Sequence, residues 1–519
     1  MKKEKIWNIL SIVIWIVLAS AEILAGATLL QLNMLPTKYV VILLGILVLA
    51  ALLIGLLMYP RQGKFQKPSH VRQVIAYIRS LVIIVGCGIV SHAASKVSKT
   101  LSTITVPSTI SAIVDVYVPT DSQAQTIDDT KGYTFAVTEA YDWENTQKAI
   151  TAVEAKLGSK INTVSYPNVF AMIEALYAGE ADALFLNRAY LGILDEVEIY
   201  ANFTDKARVI YEHAIEQTVE PEDTTPPQTE ATEVTSPEAT ETTPVTTDGI
   251  APFVIYLSGS DTRSNVLTAG TLSDVNILAV VNPQTKQVLL VNTPRDYYVS
   301  NPSGGGAKDK LTHCGVYGVN CSVAVLEALY SESITYYAQI NFTGFETLID
   351  AIGGITVYSE VSFTTTHGGY PIQAGNNQLN GNQAVCFARE RYSLAGGDND
   401  RGRNQMKIIT AVIQKLSAGT IISNYAQILD SLQGMFVTSM TQDDISELVK
   451  MQLSDMASWN ILSYAVKGTG GSNVTYSMPG MNLYVMYPNQ TSVDFAAQLI
   501  DRVMAGEILT SEDLILILD

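Results

Sequence analysis

Positive charge is what this sequence has least of. Its 519 residues carry 32 Lys and Arg against 50 Asp and Glu, a formal net charge of −18. That balance does not suit a polyphosphate backbone, so no nucleic-acid partner is expected. Cysteine is scarce too, at four residues. Cys87 falls in an apolar run and Cys386 in apolar surroundings, which leaves Cys314 and Cys321 in THCGVYGVNCS. Their separation permits a disulfide and equally permits two free thiols, because Cβ geometry decides. A metal site built from His313, Cys314 and Cys321 lacks an apparent fourth ligand.

Between Glu216 and Asp248 the shortage of cations is complete: nine acidic residues, no Lys or Arg, and almost no large apolar side chain. Such a segment cannot bury enough surface to offset its ordering entropy, so residues 214–250 are expected to be a disordered, self-repelling linker between folded units. The unit before it, 105–213, has no recognisable catalytic constellation. YTFAVTEA and ADALFL read as strands, while NTQKAITAVEAKL and NVFAMIEALYAG read as helices, the first with Asp142 as a candidate N-cap. A small α/β module is expected.

Long apolar runs, by contrast, crowd the N-terminus, and the mean hydropathy is +0.20. Ile6–Leu30, Tyr39–Tyr59 and Tyr77–Val97 each approach the ~20 residues that cross hydrocarbon. Residues 1–100 are therefore read as a three-span membrane anchor. Lys2, Lys3 and Lys5 precede the first span, and Arg61, Lys64, Lys67 and Arg72 lie between the second and third, whereas the first loop holds only Lys38. Basic flanks face the cytoplasm, so everything after about Lys99 is expected outside a multi-pass cell-membrane protein. Glu22, inside the first span, is either a functional group or a neutral acid packed against another helix.

The last unit, 251–519, opens with the apolar strand pattern FVIYLSGSDTRSN, which delivers Asp261. Asp274 leads the next strand, VNILAVVN, and VLLVNTP delivers Arg295 and Asp296. Polar groups at strand ends are where sheet-based sites collect. Residues 388–405, ARERYSLAGGDNDRGRNQ, then concentrate Arg389, Arg391, Arg401 and Arg403 in an otherwise cation-poor chain. Guanidinium forks suit phosphate oxygens, and a Mg²⁺ in a phosphate site takes one or two carboxylates. On this reading Asp261 and Asp274 supply a metal and the arginines hold a pyrophosphate. The alternative is that these arginines pair with Glu390, Asp398 and Asp400 on a solvated loop. Tyr297, Tyr298, Tyr336 and Tyr337 either line a saccharide cleft or pack in strands.

Seven ordered segments, SGSDTRSN, SDVNILAVVN, NTPRDYYV, KLTHCGVYGVN, NFTGFETLIDAIGGITVYS, LNGNQAVCFARERYS and GDNDRGRNQMKIITAVIQKL, resemble the LytR-CpsA-Psr family over about 251–420. Three spans followed by a small α/β module further resemble its CpsA branch, associated with capsular polysaccharide. The resemblance implies an α/β/α sandwich around an apolar tunnel for a polyprenyl chain. It implies a Mg²⁺-dependent phosphotransferase that moves a glycopolymer, capsular or teichoic-acid-like, from undecaprenyl pyrophosphate to peptidoglycan. The partners it implies are that lipid-linked glycan, peptidoglycan, the cytoplasmic membrane and other capsule or wall assembly proteins. By position, the family's metal-binding acids fall on Asp261 and Asp274, and its pyrophosphate ligands on Arg295, Arg389, Arg391, Arg401 and Gln405. Asp398 is a candidate proton acceptor.

One position departs from the family. The arginine that usually precedes Ser-Asp in the second motif is Leu272 here, and Arg263 is a candidate substitute for its phosphate contact. A lipid-pyrophosphate-binding or regulatory protein, and a pyrophosphatase acting on the same lipid, therefore stand as alternatives to the transferase.

Overall fold

The three apolar runs fold as helices α1 (Lys2–Leu32), α2 (Thr37–Met58) and α3 (His70–Thr105) in a computed structural model that describes residues 2–58, 70–105, 109–218, 250–260, 267, 270–417, 428–429 and 431–516. Stretches Ile6–Leu32, Thr37–Met58 and Val71–Ser102 are long and apolar enough to cross a membrane. The third outruns its apolar core at both ends, because Arg72, Gln73, Lys96 and Lys99 continue the same backbone hydrogen-bonding into polar flanks. Between the helices the Trp15 indole N–H donates to the Ala51 carbonyl at 3.0 Å, and the Ser11 and Tyr77 hydroxyls meet at 2.8 Å. Glu22 is buried there, and among the described residues its Oε1 has no hydrogen-bond partner.

The chain divides into two compact units, and the one holding α1–α3 also includes residues 413–433 and 440–458. Helix Gln442–Asp455 (numbered α13 below) packs at the turn between α1 and α2. Lys38 Nζ donates to the Ser454 carbonyl at 2.8 Å, Lys450 Nζ to Asn33 Oδ1 at 3.3 Å, and Ser446 Oγ to the Leu32 carbonyl at 3.5 Å.

The second unit contains both extramembranous modules. The accessory module runs β1 (Thr109–Pro119), β2 (Thr134–Val137), α4 (Trp143–Leu157), β3 (Asn162–Ser165), α5 (Val169–Ala178), β4 (Ala183–Asn187), two single turns α6 (Leu191–Leu194) and α7 (Phe203–Lys206), and β5 (Ala207–Thr218). Its sheet order is β3-β2-β4-β1-β5, with β2 parallel to β3 and β4, and β1 antiparallel to β4 and β5. Two expectations change. Asp142 sits at the N-cap position of α4 with φ 47° and makes no capping bond. Its carboxylate instead accepts from the side-chain amides of Asn145 and Asn187, tying α4 to the end of β4. Strand β5 also continues to Thr218, opposite Thr109, five residues into the segment expected to be linker, because β1 offers it a ladder along its whole length. Residues 219–249 lie outside the described residues.

The larger module comprises β6 (Phe253–Ser260), β7 (Ser273–Asn282), β8 (Gln287–Asn292), β9 (Tyr298–Ser300), β10 (Lys308–Lys310), α8 (Leu311–Cys314), α9 (Val319–Tyr330), β11 (Tyr336–Asn341), α10 (Phe342–Ala351), β12 (Ile355–Ser359), β13 (Phe363–Thr364), β14 (Pro371–Ile372), β15 (Gly375–Leu379), α11 (Gly381–Arg389), α12 (Asp398–Lys415), β16 (Phe436–Thr438), β17 (Asn460–Ala465), β18 (Gly468–Val474), β19 (Asn482–Pro488) and α14 (Gln490–Met504). Six strands form the main sheet in the order β16-β11-β6-β7-β8-β17. Every residue of β8 is buried, the signature of a strand covered on both faces. Apolar residues of α9 and α14, among them Val325, Leu326, Leu499 and Ile500, pack with Tyr256, Leu278, Val280, Leu289 and Val291 of the sheet. The fold is α/β, as expected.

Candidate active site at one edge of the main sheet

Strands β6 and β8 both run antiparallel to β7, pairing Ser260 with Ser273 and Asn292 with Ile277. The end of β6, the start of β7 and the end of β8 therefore share one edge, and the polar residues that follow them meet there. Asp261 and Arg263, expected to contribute a metal ligand and a phosphate contact, lie outside the described residues. Asp274 and Arg295 are described, and they bond directly: Arg295 Nη1 donates to Asp274 Oδ1 at 2.6 Å. The Thr312 amide closes the next turn onto the Arg295 carbonyl at 2.9 Å, which brings α8 against the same edge.

That turn adds charge the sequence reading did not assign to the site. Lys310 Nζ lies 3.2 Å from Asp296 Oδ1 and 2.8 Å from Glu196 Oε2. His313, fully buried, has Nδ1 at 2.7 Å from Asp309 Oδ1 and Nε2 at 3.3 Å from Glu196 Oε2. Glu196 belongs to the accessory module, just after α6, and its Oε1 also accepts from Arg295 Nη2. Burial opposes charge on His313, but the Asp309 and Glu196 carboxylates outweigh it and hold the imidazole above its ordinary pKa. The same attraction holds both acids below the usual carboxylate range despite their burial, with His313, Lys310 and Arg295 acting on Glu196, and His313, Ser477 and Asn301 on Asp309. Both ring nitrogens of His313 thus face carboxylates, which leaves it no lone pair for a metal. Among the described residues no group of three His, Cys, Asp or Glu is placed to hold one. Cys314 and Cys321 are buried free thiols.

The arginine-rich stretch is split between two helices. Helix α11, whose N-terminus is closed by a reciprocal capping box of Asn380 and Gln383, ends at Arg389. Its guanidinium lies 4.8 Å over the Phe342 ring, and that of Arg391 lies 5.1 Å over Tyr392. Glu390 is buried and accepts from the backbone amides of Thr366, Arg391 and Ser393, so it orders the loop. Arg401 pairs with Asp398, and Arg403 with Asp400. For those two the loop-pairing alternative describes the geometry. Asp398 nevertheless faces the sheet edge. Burial pushes its carboxyl up and Asp296 adds to that, against the pull of Arg401, Arg295 and Arg391.

The structure therefore gathers Asp274, Arg295, Arg391, Asp398 and Arg401 into one electrostatic cluster. Arg389 faces α10, and Gln405 is buried within α12. Of the four tyrosines considered for sugar contact, Tyr297 and Tyr337 are buried, and the hydroxyls of Tyr297 and Tyr298 donate to the Lys467 and Val474 carbonyls. Two exposed rings stand by the charges: Tyr392, under the Arg391 guanidinium, and Tyr484, whose phenol is pushed up by burial and by the Asp296 and Asp398 carboxylates. Lys310 and His313 stood within the block KLTHCGVYGVN, where their polar identities were a usable signal. Glu196 offered none, being an ordinary acid 99 positions before the arginine it meets.

Leu272 explains itself here. It packs into the apolar cluster that holds Tyr190, Ile193 and Leu194 of the accessory module, and a Cβ on Gly192 would stand 3.0 Å from its side chain. A longer, charged side chain at that position would have to displace these apolar contacts. The leucine is what the docked module requires.

A family model described as the LytR_cpsA_psr family matches residues 210–493, more than half of the chain. A relative in Enterococcus faecalis V583, the polyisoprenyl-teichoic acid–peptidoglycan teichoic acid transferase TagU, is 34% identical over 198 residues, which are 38% of this chain and 64% of that protein. TagU of Bacillus mycoides KBAB4 is 34% identical over 200 residues, with the same shares. The chain thus spans just under two thirds of the length of these relatives. Among solved structures, TagV of B. subtilis aligns with a TM-score of 0.41 at 22% identity, covering 50% of this chain and 99% of TagV. Lin1025 of Listeria innocua aligns with a TM-score of 0.40 at 28% identity, covering 49% of this chain and 100% of Lin1025. With its motif blocks in order, Arg295, Arg391 and Arg401 around Asp398 and the family match running from β5 into α14, the chain is a member of the LytR_cpsA_psr family.

Proposed function

We propose that this protein is a membrane-anchored phosphotransferase that moves a glycopolymer from a polyprenyl pyrophosphate to peptidoglycan on the outer face of the membrane. The observation that carries the reading is the convergence of Arg295, Arg391 and Arg401 around Asp398 in a chain with three helices able to span a membrane. Relatives named as teichoic acid–peptidoglycan transferases support the same substrate class.

In this mechanism the prenyl chain lies in an apolar tunnel of the larger module, and Arg295, Arg389, Arg391 and Arg401 hold the pyrophosphate oxygens, with Gln405 in support. Asp398, its pKa raised by burial, takes the proton of a muramyl hydroxyl as that oxygen attacks the phosphorus bearing the glycan. The new P–O bond joins glycan phosphate to peptidoglycan. The bridging P–O bond breaks, and undecaprenyl phosphate leaves. Positive charge fixed around both phosphates stabilises what develops in the transition state, so positioning and electrostatics do most of the catalysis. Asp274 presents hard oxygen donors at the sheet edge, a chemistry that fits Mg²⁺, and Asp261 and Asp274 would hold the ion. When bound it would neutralise phosphate charge.

The test uses the full-length protein in detergent with a labelled prenyl-pyrophosphate oligosaccharide and peptidoglycan oligomers, with and without Mg²⁺, beside Arg389→Ala and Asp261→Ala. Label on peptidoglycan only with metal, and lost in both variants, is expected. Free phosphorylated glycan as the sole product would make the protein a pyrophosphatase, and lipid binding without turnover would make it a binding or regulatory protein.

A further inference from the structure

The accessory module carries no catalytic constellation of its own, yet one of its side chains reaches the sheet edge. Arg295 is 16% exposed and held from both sides, by Asp274 at Nη1 and by Glu196 at Nη2. Its Nε is buried without a hydrogen-bond partner among the described residues, 3.8 Å from the nearest Asp296 oxygen. A guanidinium clamped at both terminal nitrogens cannot swing, and the edge left over carries an unspent donor. The second Glu196 oxygen meets Lys310 and His313 at 2.8 and 3.3 Å. One carboxylate therefore balances three cationic groups that would otherwise repel one another in a partly dry site. The module is firmly seated for this task. Leu272 lies in its apolar cluster, which also takes in Val316, Met478 and Leu483 of the larger module, and the Tyr141 hydroxyl donates to the Tyr476 carbonyl at 2.8 Å.

We infer that Glu196 is a positioning residue of the phosphate site, supplied in cis by the accessory module, which sets the orientation of Arg295 and the spacing of Lys310 and His313. The inference rests on the proposed transferase reading. It gives the module a role: the larger module lacks the arginine of the second motif, and the module that occupies that place returns a counter-ion organising the cations that remain. Asparagine or glutamine cannot substitute. An amide presents one acceptor and one donor, so its NH₂ must face either Arg295 or the Lys310–His313 pair.

Full-length wild type, Glu196→Ala, Glu196→Gln and, as an exposed control in the same module, Glu144→Gln are compared for farnesyl pyrophosphate binding by calorimetry and for label transfer, with folded fraction measured by near-UV circular dichroism. Both Glu196 variants are expected to lose about ten-fold or more in kcat, while their affinity for the prenyl pyrophosphate is unchanged or higher, because a negative charge has left the site. Glu144→Gln is expected to match wild type. Wild-type rates in both Glu196 variants would overturn the inference while leaving the transferase reading intact. So would a loss of rate and binding together, in proportion to lost folded protein, since that is a purely structural contact. A wild-type protein that neither binds nor transfers would overturn the transferase reading and the inference with it.

Discussion

Arg295 has the most to lose by substitution. Its side chain is nearly buried between Asp274 and Glu196, with Asp296 close by, and removing one partner of a buried charge network costs about 3–5 kcal/mol because the others are left uncompensated. Arg295→Ala is expected to lower unfolding stability by that order and to abolish transfer, as read by urea denaturation and label incorporation. Arg295→Lys should recover part of the stability and little of the rate, since an ammonium cannot bridge two carboxylates in one plane. His313 adds a pH dependence. Its folded pKa lies above that of the unfolded chain, so its stabilisation is complete below about pH 6.5 and is lost as the pH rises through the folded value. Glu196 and Asp309 run the opposite way: their folded values are depressed, so their contribution is full above about pH 4.5 and disappears on acidification through those values. The stability difference between wild type and His313→Gln, measured by urea unfolding across pH, should therefore be largest in mildly acidic solution and shrink toward alkaline pH.

At the scale of elements, the placing of the arginine-bearing helix α11 depends on a close approach. A Cβ on Gly381, the first residue of α11, would stand 2.1 Å from the Glu346 carbonyl of α10, a backbone atom that cannot turn aside. Gly381→Ala is expected to cost about 1–3 kcal/mol and to displace the C-terminal end of α11 that carries Arg389, visible as weaker prenyl-pyrophosphate binding in calorimetry. Much of this level was legible in the sequence. The apolar runs VNILAVVN and VLLVNTP became β7 and β8, and NVFAMIEALYAG became α5, because uninterrupted or helically spaced apolar residues have few other places to go. What escaped were the features that depend on a distant partner. Thr218 reads as linker until Thr109 is beside it, and Asp142 reads as a cap until the Asn187 amide claims its carboxylate. The arginines were legible as a concentration of charge, and the pairing of Arg401 and Arg403 with Asp398 and Asp400 as one of two alternatives; that Asp398 also faces Arg295 was not.

At the scale of the molecule, Leu272 couples the two modules of the second unit. Restoring an arginine there, Leu272→Arg, is expected to press a cation against the apolar cluster of Tyr190, Ile193 and Leu194, and so to loosen the accessory module instead of adding a phosphate contact. Faster amide exchange in Leu191–Leu194 and β19, with no gain in prenyl-pyrophosphate affinity, would be the sign. The other unit has its own consequence, and it concerns time. Helix α13 packs on the turn between α1 and α2 through contacts separated by 414 to 417 positions in the chain. At usual synthesis rates some 20–80 s pass between the emergence of Asn33 and that of Lys450. The first part of the protein to enter the bilayer is thus among the last to be finished, and it must wait, uncapped, for a helix that the ribosome has yet to make.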